Sequence, residues 1–442
     1  MNVLFIMTDQ QRADSFGPGR HPCANYPVME ELSTEAVCFA NAYTAASPCV
    51  PSRHTTLTGR NPWMLGCNGN MKFSMGEETT WMSLLRDRGY CCVSVGKTHL
   101  VHAGSYHIQV PVARSFGDQQ GWDHFHPAPS PETEENYFDV HATRRACDAL
   151  QRLRNAQPFA LFVGFHAPHE PYVMPQRYLE HVSPAGVPLP RARRADEYQT
   201  KSAAYRARVD HFRRMFGNID DDAVRRGIAG HHCLLKMVDD CLGRILDTLR
   251  GLDLLGNTLL IFSSDHGDLL GEHNLFNKAA TFYEGEVHIP LLIRFPDARG
   301  AGLRLPHLAS NIDLVPTLLD ILNLKADVSL PGHSLVPMID QGHPVRDAVT
   351  CATSGAMMLR TETAKFWYDH RHGDGEMYDL ASDPDELNNL FPDPGHCELR
   401  RELVERMLHL RMEDDYRDAL PTDRQRRIHR EVESSYEPEV VT

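Results

Sequence analysis

The chain has too little positive charge for a protein that binds nucleic acid along its surface. Its 442 residues include 45 lysines and arginines against 59 aspartates and glutamates, which gives a formal net charge of -14. Broad, sequence-independent binding of DNA or RNA needs a basic face, so this balance argues against that class of function. The charge balance is compatible with a small anionic substrate, because a local basic pocket can lie within an acidic surface.

A long apolar run is missing at the start of the chain. The first apolar run covers only residues 3–7, and no basic residue precedes it. It is too short for a signal peptide and much too short for a membrane span. We therefore expect a protein without a membrane partner.

Paired cysteines of the zinc-binding kind are missing as well. The 11 cysteines are scattered and odd in number, and they contain no Cys-x-x-Cys pair. Cys91 and Cys92 are adjacent, which is unsuitable for an ordinary disulfide framework. We therefore expect reduced thiols and a cytoplasmic protein.

Four continuous apolar runs, each followed at once by polar residues, predict buried parallel strands. They cover residues 3–7, 90–95, 159–165 and 258–263, with helical patterns such as 136–154 and 223–252 between them. Strands that alternate with helices indicate an α/β core with a large, mostly parallel sheet flanked by helices. In such a core, ligands bind beyond the carboxyl ends of the strands.

The pattern of predicted secondary structure changes after residue 335. Short β-like pieces at 348–351 and 364–368 precede a charged helical pattern at 398–412. We therefore expect a catalytic domain over residues 1–340. A smaller C-terminal α+β subdomain, with a short antiparallel sheet and a helix, is expected over residues 341–442.

Two predicted strands end in groups that suit a divalent cation. Asp9 and Gln10 end the first strand, and Asp265 and His266 follow another. The alternative is that both aspartates cap strand-to-helix turns, the commoner role of Asp at such places. Their occurrence at two equivalent strand ends favours a metal site. Oxygen ligands suit Ca²⁺ or Mg²⁺, whereas the imidazole nitrogen suits Mn²⁺ better.

Five cationic or proton-carrying groups lie in or beside predicted strand-end loops: Arg53, Lys97, His99, His169 and Lys278. The alternative for each alone is a structural histidine or a solvated cation. Together with a metal, the five would hold a tetrahedral oxyanion. Hydrolysis of a sulfate or phosphate ester needs charge neutralisation on the non-bridging oxygens and a proton donor for the leaving oxygen.

Cys49 stands between Pro48 and Pro51, with Arg53 four residues further on. The T-T-L-T-G stretch that follows is helix-like, which would place Cys49 at a helix N-terminus. Free N–H groups and the helix dipole lower the pKa of a thiol there. A thiolate nucleophile is one hypothesis, although its charge would face an anionic substrate.

The segment 49–60, with C-V-P-S-R followed by L-T-G-R, resembles the signature of the formylglycine-dependent sulfatases of the alkaline phosphatase superfamily. Five other segments are similar to elements of that family, in the family's order, and together they are far more specific than one motif. They are N-V-L-F-I-M-T-D-Q-Q-R-A-D at 2–14, G-K-T-H at 96–99, A-P-H-E-P at 167–171, S-D-H-G-D-L-L-G-E-H-N-L-F-N-K at 264–278 and M-Y-D-L-A-S-D-P-D-E-L-N-N-L at 377–390.

The resemblance implies an alkaline-phosphatase-like core and a sulfuric ester hydrolase. It implies that a formylglycine-generating enzyme reads Cys-x-Pro-x-Arg in the unfolded chain and converts Cys49 to formylglycine. The hydrated aldehyde, in contact with the metal, would then be the nucleophile, steadied by Arg53. The metal ligands implied are Asp9, Gln10, position 49, Asp265 and His266, with Ca²⁺ the first candidate ion.

The same resemblance assigns sulfate binding and proton handling to Lys97, His99, His169 and Lys278, with His169 or Lys278 as the acid for the leaving alcohol. Many family members carry Asp-Asp and Asp-Asn where this chain has Asp-Gln at 9–10 and Asp-His at 265–266. These departures leave open the ion and the choice between sulfur and phosphorus. The alternative function is therefore a phosphonate monoester or phosphodiester hydrolase.

The substrate expected is a sulfate monoester on a small sugar. The stretch 174–210, rich in Pro, Arg and Ala, predicts an irregular insertion that forms a lid or pocket wall. Its arginines either contact a substrate carboxylate or form a solvated basic loop: Arg177, Arg191, Arg193 and Arg194. His102 and His107 are further candidates for the pocket. An anion-binding protein with unmodified Cys49 and a thiol-dependent hydrolase remain as alternatives of other classes.

Overall fold

The structure, a computed structural model, describes residues 1–70, 78–98, 108–110, 125–156, 158–325 and 329–419. Its strands are Asn2–Asp9 (β1), Val37–Tyr43 (β2), Cys91–Gly96 (β3), Ile108–Val110 (β4), Ala128–Pro129 (β5), Phe159–Pro168 (β6), Val173–Met174 (β7), Thr258–Ser264 (β8), Leu291–Arg294 (β9), Arg304–Ser310 (β10), Ala348–Thr353 (β11), Ala356–Thr361 (β12), Ala364–Asp369 (β13) and Asp374–Asp379 (β14). Its α-helices are Pro27–Glu35 (α1), Cys49–Thr58 (α2), Trp81–Arg86 (α3), Phe138–Leu153 (α4), Glu197–Thr200 (α5), Ala203–Phe216 (α6), Asp221–Gly251 (α7), Glu284–Val287 (α8), Leu314–Ile321 (α9), Val336–Gln341 (α10) and Cys397–Ala419 (α11).

The main sheet has, within the described ranges, eight strands in the order β10-β2-β9-β8-β1-β6-β3-β4. Among them only β9 runs antiparallel to its neighbours. Every residue of β1, β6 and β8 is buried, which explains their continuous apolar sequences, because a parallel strand is covered on both faces. The predicted α/β core with a mostly parallel sheet is confirmed.

Helices cover both faces of this sheet. Along β1, Leu4 and Ile6 face a core formed with α1, α4 and α7. Val3, Phe5 and Met7 face a second core formed with α2, α3, α9 and α10. Successive side chains of a strand point to opposite faces, so one apolar run contributes to both cores. The result is a three-layer arrangement of helices, sheet and helices.

The long helix α7 confirms the helical pattern predicted over 223–252. The Asp220 carboxylate caps it by accepting a hydrogen bond from the N–H of Ala223 at 2.7 Å. Ile228, Leu235, Leu242 and Leu249, seven residues apart, are all buried against the core. Burying one such side chain stabilises the fold by about 1.5–3 kcal/mol, so this stripe fixes α7 beneath the sheet.

The C-terminal part forms a separate antiparallel sheet in the order β11-β12-β13-β14, with α11 packed on it through the buried Leu403. The predicted smaller α+β subdomain is therefore confirmed, and its helix is longer than the predicted range 398–412. The boundary that divides residues 1–340 from residues 341–442 stays a prediction.

The prediction of an irregular insertion over 174–210 was wrong for its last part, because α6 begins at Ala203. The Ser202 hydroxyl accepts from the N–H of Tyr205 at 3.0 Å and caps this helix. Tyr205, Val209 and Phe212 follow at helical spacing and are buried. The helix was not predicted because the preceding residues are rich in Pro and Arg and its apolar stripe is short.

Two further properties concern the whole described fold. All eleven cysteines have free thiols. Among the helices in the described ranges, none is both long enough and apolar enough to cross a membrane.

Candidate active site

The carboxyl ends of four neighbouring strands supply most of the predicted site residues. Asp9 is the last residue of β1, and Asp265 directly follows β8. Lys97 and His169 directly follow β3 and β6. Because β8, β1, β6 and β3 lie side by side and run parallel, these ends meet at one edge of the sheet. The structure thus brings together groups that are up to 256 residues apart.

Helix α2 brings Cys49 to the same edge. Cys49 is the first residue of α2 and is 2% exposed, so the predicted position at a helix N-terminus is confirmed. Pro51 lies in the first turn, where a missing N–H breaks no helical hydrogen bond. At the other end, Gly59 has φ 69°, and a Cβ there would lie 2.8 Å from the Cβ of Val315. The glycine therefore both ends α2 and allows its close packing on α9.

Arg53, one turn after Cys49, connects three strand ends. Its side chain is fully buried and donates to Asp265 Oδ2 at 2.8 Å and to Asp9 Oδ2 at 3.1 Å. It also donates to the carbonyl oxygens of Lys97 at 2.8 Å and Thr8 at 3.2 Å. These bonds fix the two carboxylates. The predicted role of Arg53 in steadying a nucleophile at position 49 stays a prediction.

Four predicted metal ligands form one buried group. Ligand atoms of Asp9, Cys49, Asp265 and His266 all lie within 4.8 Å of one another. Cys49 Sγ is 3.1 Å from His266 Nε2 and 3.8 Å from Asp9 Oδ1. Two carboxylates and one imidazole nitrogen around a small space suit a divalent cation, so these residues fit the metal that the sequence predicts.

The imidazole of His266 is oriented toward this group. Its Nδ1 lies 2.8 Å from the carbonyl oxygen of Gly267, which can only accept, so Nδ1 carries a proton and Nε2 faces Cys49. Metal-binding histidines are commonly fixed in this way. Burial opposes protonation, but Asp265 and the Cys49 side chain together outweigh it and raise the pKa of His266 to about 9. The group therefore attracts positive charge.

Gln10 lies beside these ligands in a left-handed backbone conformation, with φ 72°. Its N–H donates to Asp265 Oδ1 at 3.0 Å, which connects β1 to the end of β8. Its side-chain oxygen accepts from Lys278 Nζ at 2.7 Å. The role of Gln10 as a metal ligand stays a prediction.

Lys97 places a cation next to the ligand group. Its Nζ forms an ion pair with Asp9 Oδ2 and lies 3.3 Å from His166 Nδ1. Burial alone would raise the pKa of Asp9, but Lys97, His169 and Arg53 hold it well below its usual value. Asp9 is therefore an anion ready to bind a cation.

Lys278 and His169 form a second contact at the edge of the site. Lys278 Nζ lies 2.5 Å from His169 Nε2, and His169 Nδ1 lies 2.6 Å from the carbonyl oxygen of Glu170. An ammonium only donates and a carbonyl oxygen only accepts, so His169 carries its proton on Nδ1 and accepts at Nε2. Burial and Lys278 hold the pKa of His169 well below its usual value. For Lys278, burial is outweighed by Cys49, Glu170, Asp9 and Asp265 together, which raise its pKa.

The remaining predicted groups are not part of the arrangement described above. His99, His102 and His107 are outside the described residues. The arginines of the insertion each pair with a carboxylate of the protein, which favours the alternative of a basic loop that binds no substrate. The pairs are Arg177 with Glu134, Arg191 with Asp385, Arg193 with Asp221 and Arg194 with Asp196.

Three acceptors at the site were missed in the sequence. The side chains of Glu170, Asp268 and Asn277 all face the amide nitrogen of Gln10. They lie inside the quoted segments A-P-H-E-P and S-D-H-G-D…N-K, directly beside predicted site residues. That adjacency was the only signal, because their common partner lies at least 160 residues away.

Comparison with protein families gives two matches along the chain. The sulfatase family model matches residues 1–324. A second model, N-sulphoglucosamine sulphohydrolase, C-terminal, matches residues 271–413. The first match alone covers about three-quarters of the 442 residues.

Curated relatives agree with these matches, and a solved structure shares the fold. A choline-sulfatase of Rhizobium meliloti is 28% identical over 436 residues, which cover 89% of this chain and 83% of that protein. An N-acetylglucosamine-6-O-sulfatase of Bacteroides thetaiotaomicron is 23% identical over 510 residues, covering 96% and 88%. The crystal structure of a phosphonate monoester hydrolase of Agrobacterium radiobacter superposes with a TM-score of 0.82 at 23% identity, covering 93% and 96%.

Proposed function

This chain belongs to the sulfatase family and is a sulfuric ester hydrolase, and we propose that it cleaves a sulfate monoester on a small sugar at the strand-end site around position 49. One observation carries the proposal. A buried ligand group for a cation, the N-terminus of α2 and the ammonium groups of Lys97 and Lys278 converge on one place. A sulfate ester needs both kinds of charge neutralisation as its S–O bond breaks.

Position 49 suits formylglycine. Burial and Asp9 raise the pKa of the Cys49 thiol, but Lys278 and His266 outweigh them, so the site favours an anion at this side chain. As formylglycine, the residue would supply an aldehyde whose hydrate offers an oxygen nucleophile. A formylglycine-generating enzyme is then the partner that prepares the chain before folding.

The metal in this proposal is a single divalent cation, with Ca²⁺ the first candidate and Mn²⁺ or Mg²⁺ as alternatives. Asp9, Asp265, His266 and the side chain at position 49 would hold it, with Gln10 as a further ligand. The bound ion would supply Lewis-acid polarisation of a sulfate oxygen. Arg53 keeps both carboxylates in place whether or not the ion is bound, because its hydrogen bonds to them are made within the protein.

Proton transfer to the leaving alcohol is assigned to Lys278 rather than to His169. His169 accepts at Nε2, so its only proton is directed at the Glu170 carbonyl oxygen and away from Lys278. Lys278 holds protons on Nζ. As the S–O bond breaks, its electron pair passes to the bridging oxygen, which takes one of these protons. Lys97 stabilises charge on the non-bridging oxygens. His99 is the proposed acceptor of the proton that the hydrated aldehyde at position 49 would lose.

The names of two relatives support the substrate class. One is a choline-sulfatase and the other an N-acetylglucosamine-6-O-sulfatase. A small sulfated sugar is the substrate we propose here. Phosphonate monoester hydrolysis is the second candidate, because the same cations would neutralise the oxygens of a phosphonate and Gln10 makes the ligand set one charge less negative than a second aspartate would.

A panel of substrates tests the proposal. Protein modified at position 49 should release sulfate from N-acetylglucosamine 6-sulfate with a higher kcat/KM than from choline sulfate, and Cys49→Ala should release none. An aryl phosphonate monoester in the same assay measures the second candidate. A higher kcat/KM on the phosphonate than on every sulfate ester would overturn the sulfate assignment.

A further inference from the structure

The side-chain amide of Gln10 is surrounded by acceptors. Its Nε2 lies 2.6 Å from Asp268 Oδ2, 2.8 Å from Glu170 Oε2 and 3.2 Å from Asn277 Oδ1. An amide nitrogen has two hydrogens, and the two carboxylates are its nearest partners. Gln10 and Asp268 are fully buried, so water does not replace the bond between them.

These acceptors determine which way the amide points. If its oxygen and nitrogen were exchanged, the oxygen would face two carboxylates and the NH₂ group would face the Lys278 ammonium. The amide oxygen must therefore face Lys278, as its 2.7 Å contact with Nζ indicates. Asp268 is itself fixed, because its Oδ1 accepts from the N–H groups of Leu270 at 2.9 Å and Asn277 at 2.8 Å.

The orientation of the Gln10 amide determines how the N–H groups of Lys278 are used. Two of its three N–H bonds are directed at Gln10 Oε1 and at His169 Nε2. No other residue in the described ranges forms a hydrogen bond with its Nζ that would use the third. That third N–H is left for the oxygen of the leaving alcohol, provided that the Gln10 oxygen keeps the ammonium in place.

We propose that Glu170 and Asp268 are positioning residues that orient the Lys278 ammonium through the Gln10 amide. This inference rests on the proposed function, in which Lys278 gives its proton to the leaving alcohol. It also explains why position 10 carries an amide. A carboxylate there would stand within hydrogen-bond distance of two other carboxylates, and like charges that close cannot all ionise.

The first test separates positioning from a general structural role by varying the leaving group. A poor leaving group, such as the alcohol of a sugar sulfate, depends on the proton donor, whereas 4-nitrophenol leaves with little help. Glu170→Ala removes one of the two carboxylate acceptors of the Gln10 amide and should lower kcat on the sugar sulfate at least about tenfold more than kcat on 4-nitrophenyl sulfate. Glu170→Gln keeps an acceptor oxygen and should restore the ratio to near that of the wild type.

Matched controls make the result decisive. Glu180→Ala, at an exposed glutamate ten residues further on, should leave both rates unchanged. Lys278→Ala should show the same selective loss as Glu170→Ala, only larger. Equal losses on both esters for Glu170→Ala, or a Glu170→Gln variant as impaired as the alanine variant, would overturn the proposal. A wild-type enzyme that hydrolyses neither ester would instead overturn the proposed function.

The second test uses stability and needs no activity. Gln10→Glu places a third carboxylate beside Glu170 and Asp268 and should lower the melting temperature at pH 8. Adding Glu170→Gln supplies an NH₂ donor from the other side and should recover most of that loss. If the double variant melts no higher than Gln10→Glu alone, the two carboxylates do not require an amide at position 10.

Discussion

Replacing Arg53 by alanine should destabilise the protein strongly, whatever the state of residue 49. The guanidinium and both of its carboxylate partners, Asp9 and Asp265, are fully buried. The alanine variant leaves two carboxylates in the interior without this cation. Removing one partner of a buried ion pair costs about 3–5 kcal/mol, because the remaining charge is left desolvated.

This loss can be converted into a melting temperature. With an unfolding entropy of about 2.1 cal/mol/K per residue, a chain of 442 residues has roughly 0.9 kcal/mol/K. The expected fall for Arg53→Ala is therefore about 3–5 °C. Thermal melting followed by circular dichroism measures it on protein made without the modifying enzyme, so formylglycine does not enter the comparison.

Arg60 provides the matched control for this experiment. It lies in the same sequence segment and pairs with Glu78 at 2.8 Å, but both side chains are partly exposed. Such a pair contributes about 0–1 kcal/mol, so Arg60→Ala should lower the melting temperature by about 1 °C at most. If the two variants melt within one degree of each other, Arg53 does not hold the carboxylates as we describe.

Three further predictions concern the nucleophile, the metal and a buried histidine. Cys49→Ala should abolish sulfate release while leaving the melting temperature near that of the wild type; appreciable residual turnover would refute a nucleophile at this position. A chelator should stop turnover, and added Ca²⁺ should restore it and stabilise the fold by about 2.7 kcal/mol at 100 times its Kd; indifference to both would contradict the ligand roles of Asp9 and Asp265. His231 is fully buried, neither ring nitrogen has a hydrogen-bond partner within the described part of the chain, and burial lowers its pKa from 6.5 to about 3. Its folded pKa is depressed, so its contribution is complete above pH 6.5 and is lost as the pH falls toward 3; between pH 7 and pH 5 the loss is about 2 kcal/mol. His231→Leu should remove that part of the pH dependence. Urea unfolding at pH 7 and pH 5 measures it, and an equal fall in the free energy of unfolding for the two proteins would refute the assignment.

The strands that carry the site could be predicted because burial on both faces leaves a continuous apolar run. Residues 3–7 and 258–263 each appear in the structure within a parallel strand, β1 and β8. The polar residues that end them could be predicted as one group for the same reason, since parallel neighbours end at one edge. Cys49 could be placed at a helix N-terminus from the helix-like residues after it.

The partners within the site could not be predicted, because they depend on how distant segments pack. The hydrogen bonds of Arg53 with Asp9 and Asp265, 44 and 212 residues away, have no local signal in the sequence. The contact of Glu170 with Gln10 spans 160 residues and has no local pattern. Local composition reports which groups lie at a strand end, and the packing of α2 on the sheet decides which of them meet.

The central claim is that residue 49 works as formylglycine, and one measurement tests it most directly. Trypsin releases residues 21–53 as one peptide, which also contains Cys23 and Cys38, so fragmentation must assign any change to position 49. Preparations made with different amounts of the formylglycine-generating enzyme will contain different fractions of peptide in which CH₂SH is replaced by CHO. We predict that sulfate release per molecule rises in proportion to that fraction and extrapolates to zero for the thiol form. Full activity in protein whose Cys49 is entirely unmodified would contradict the account.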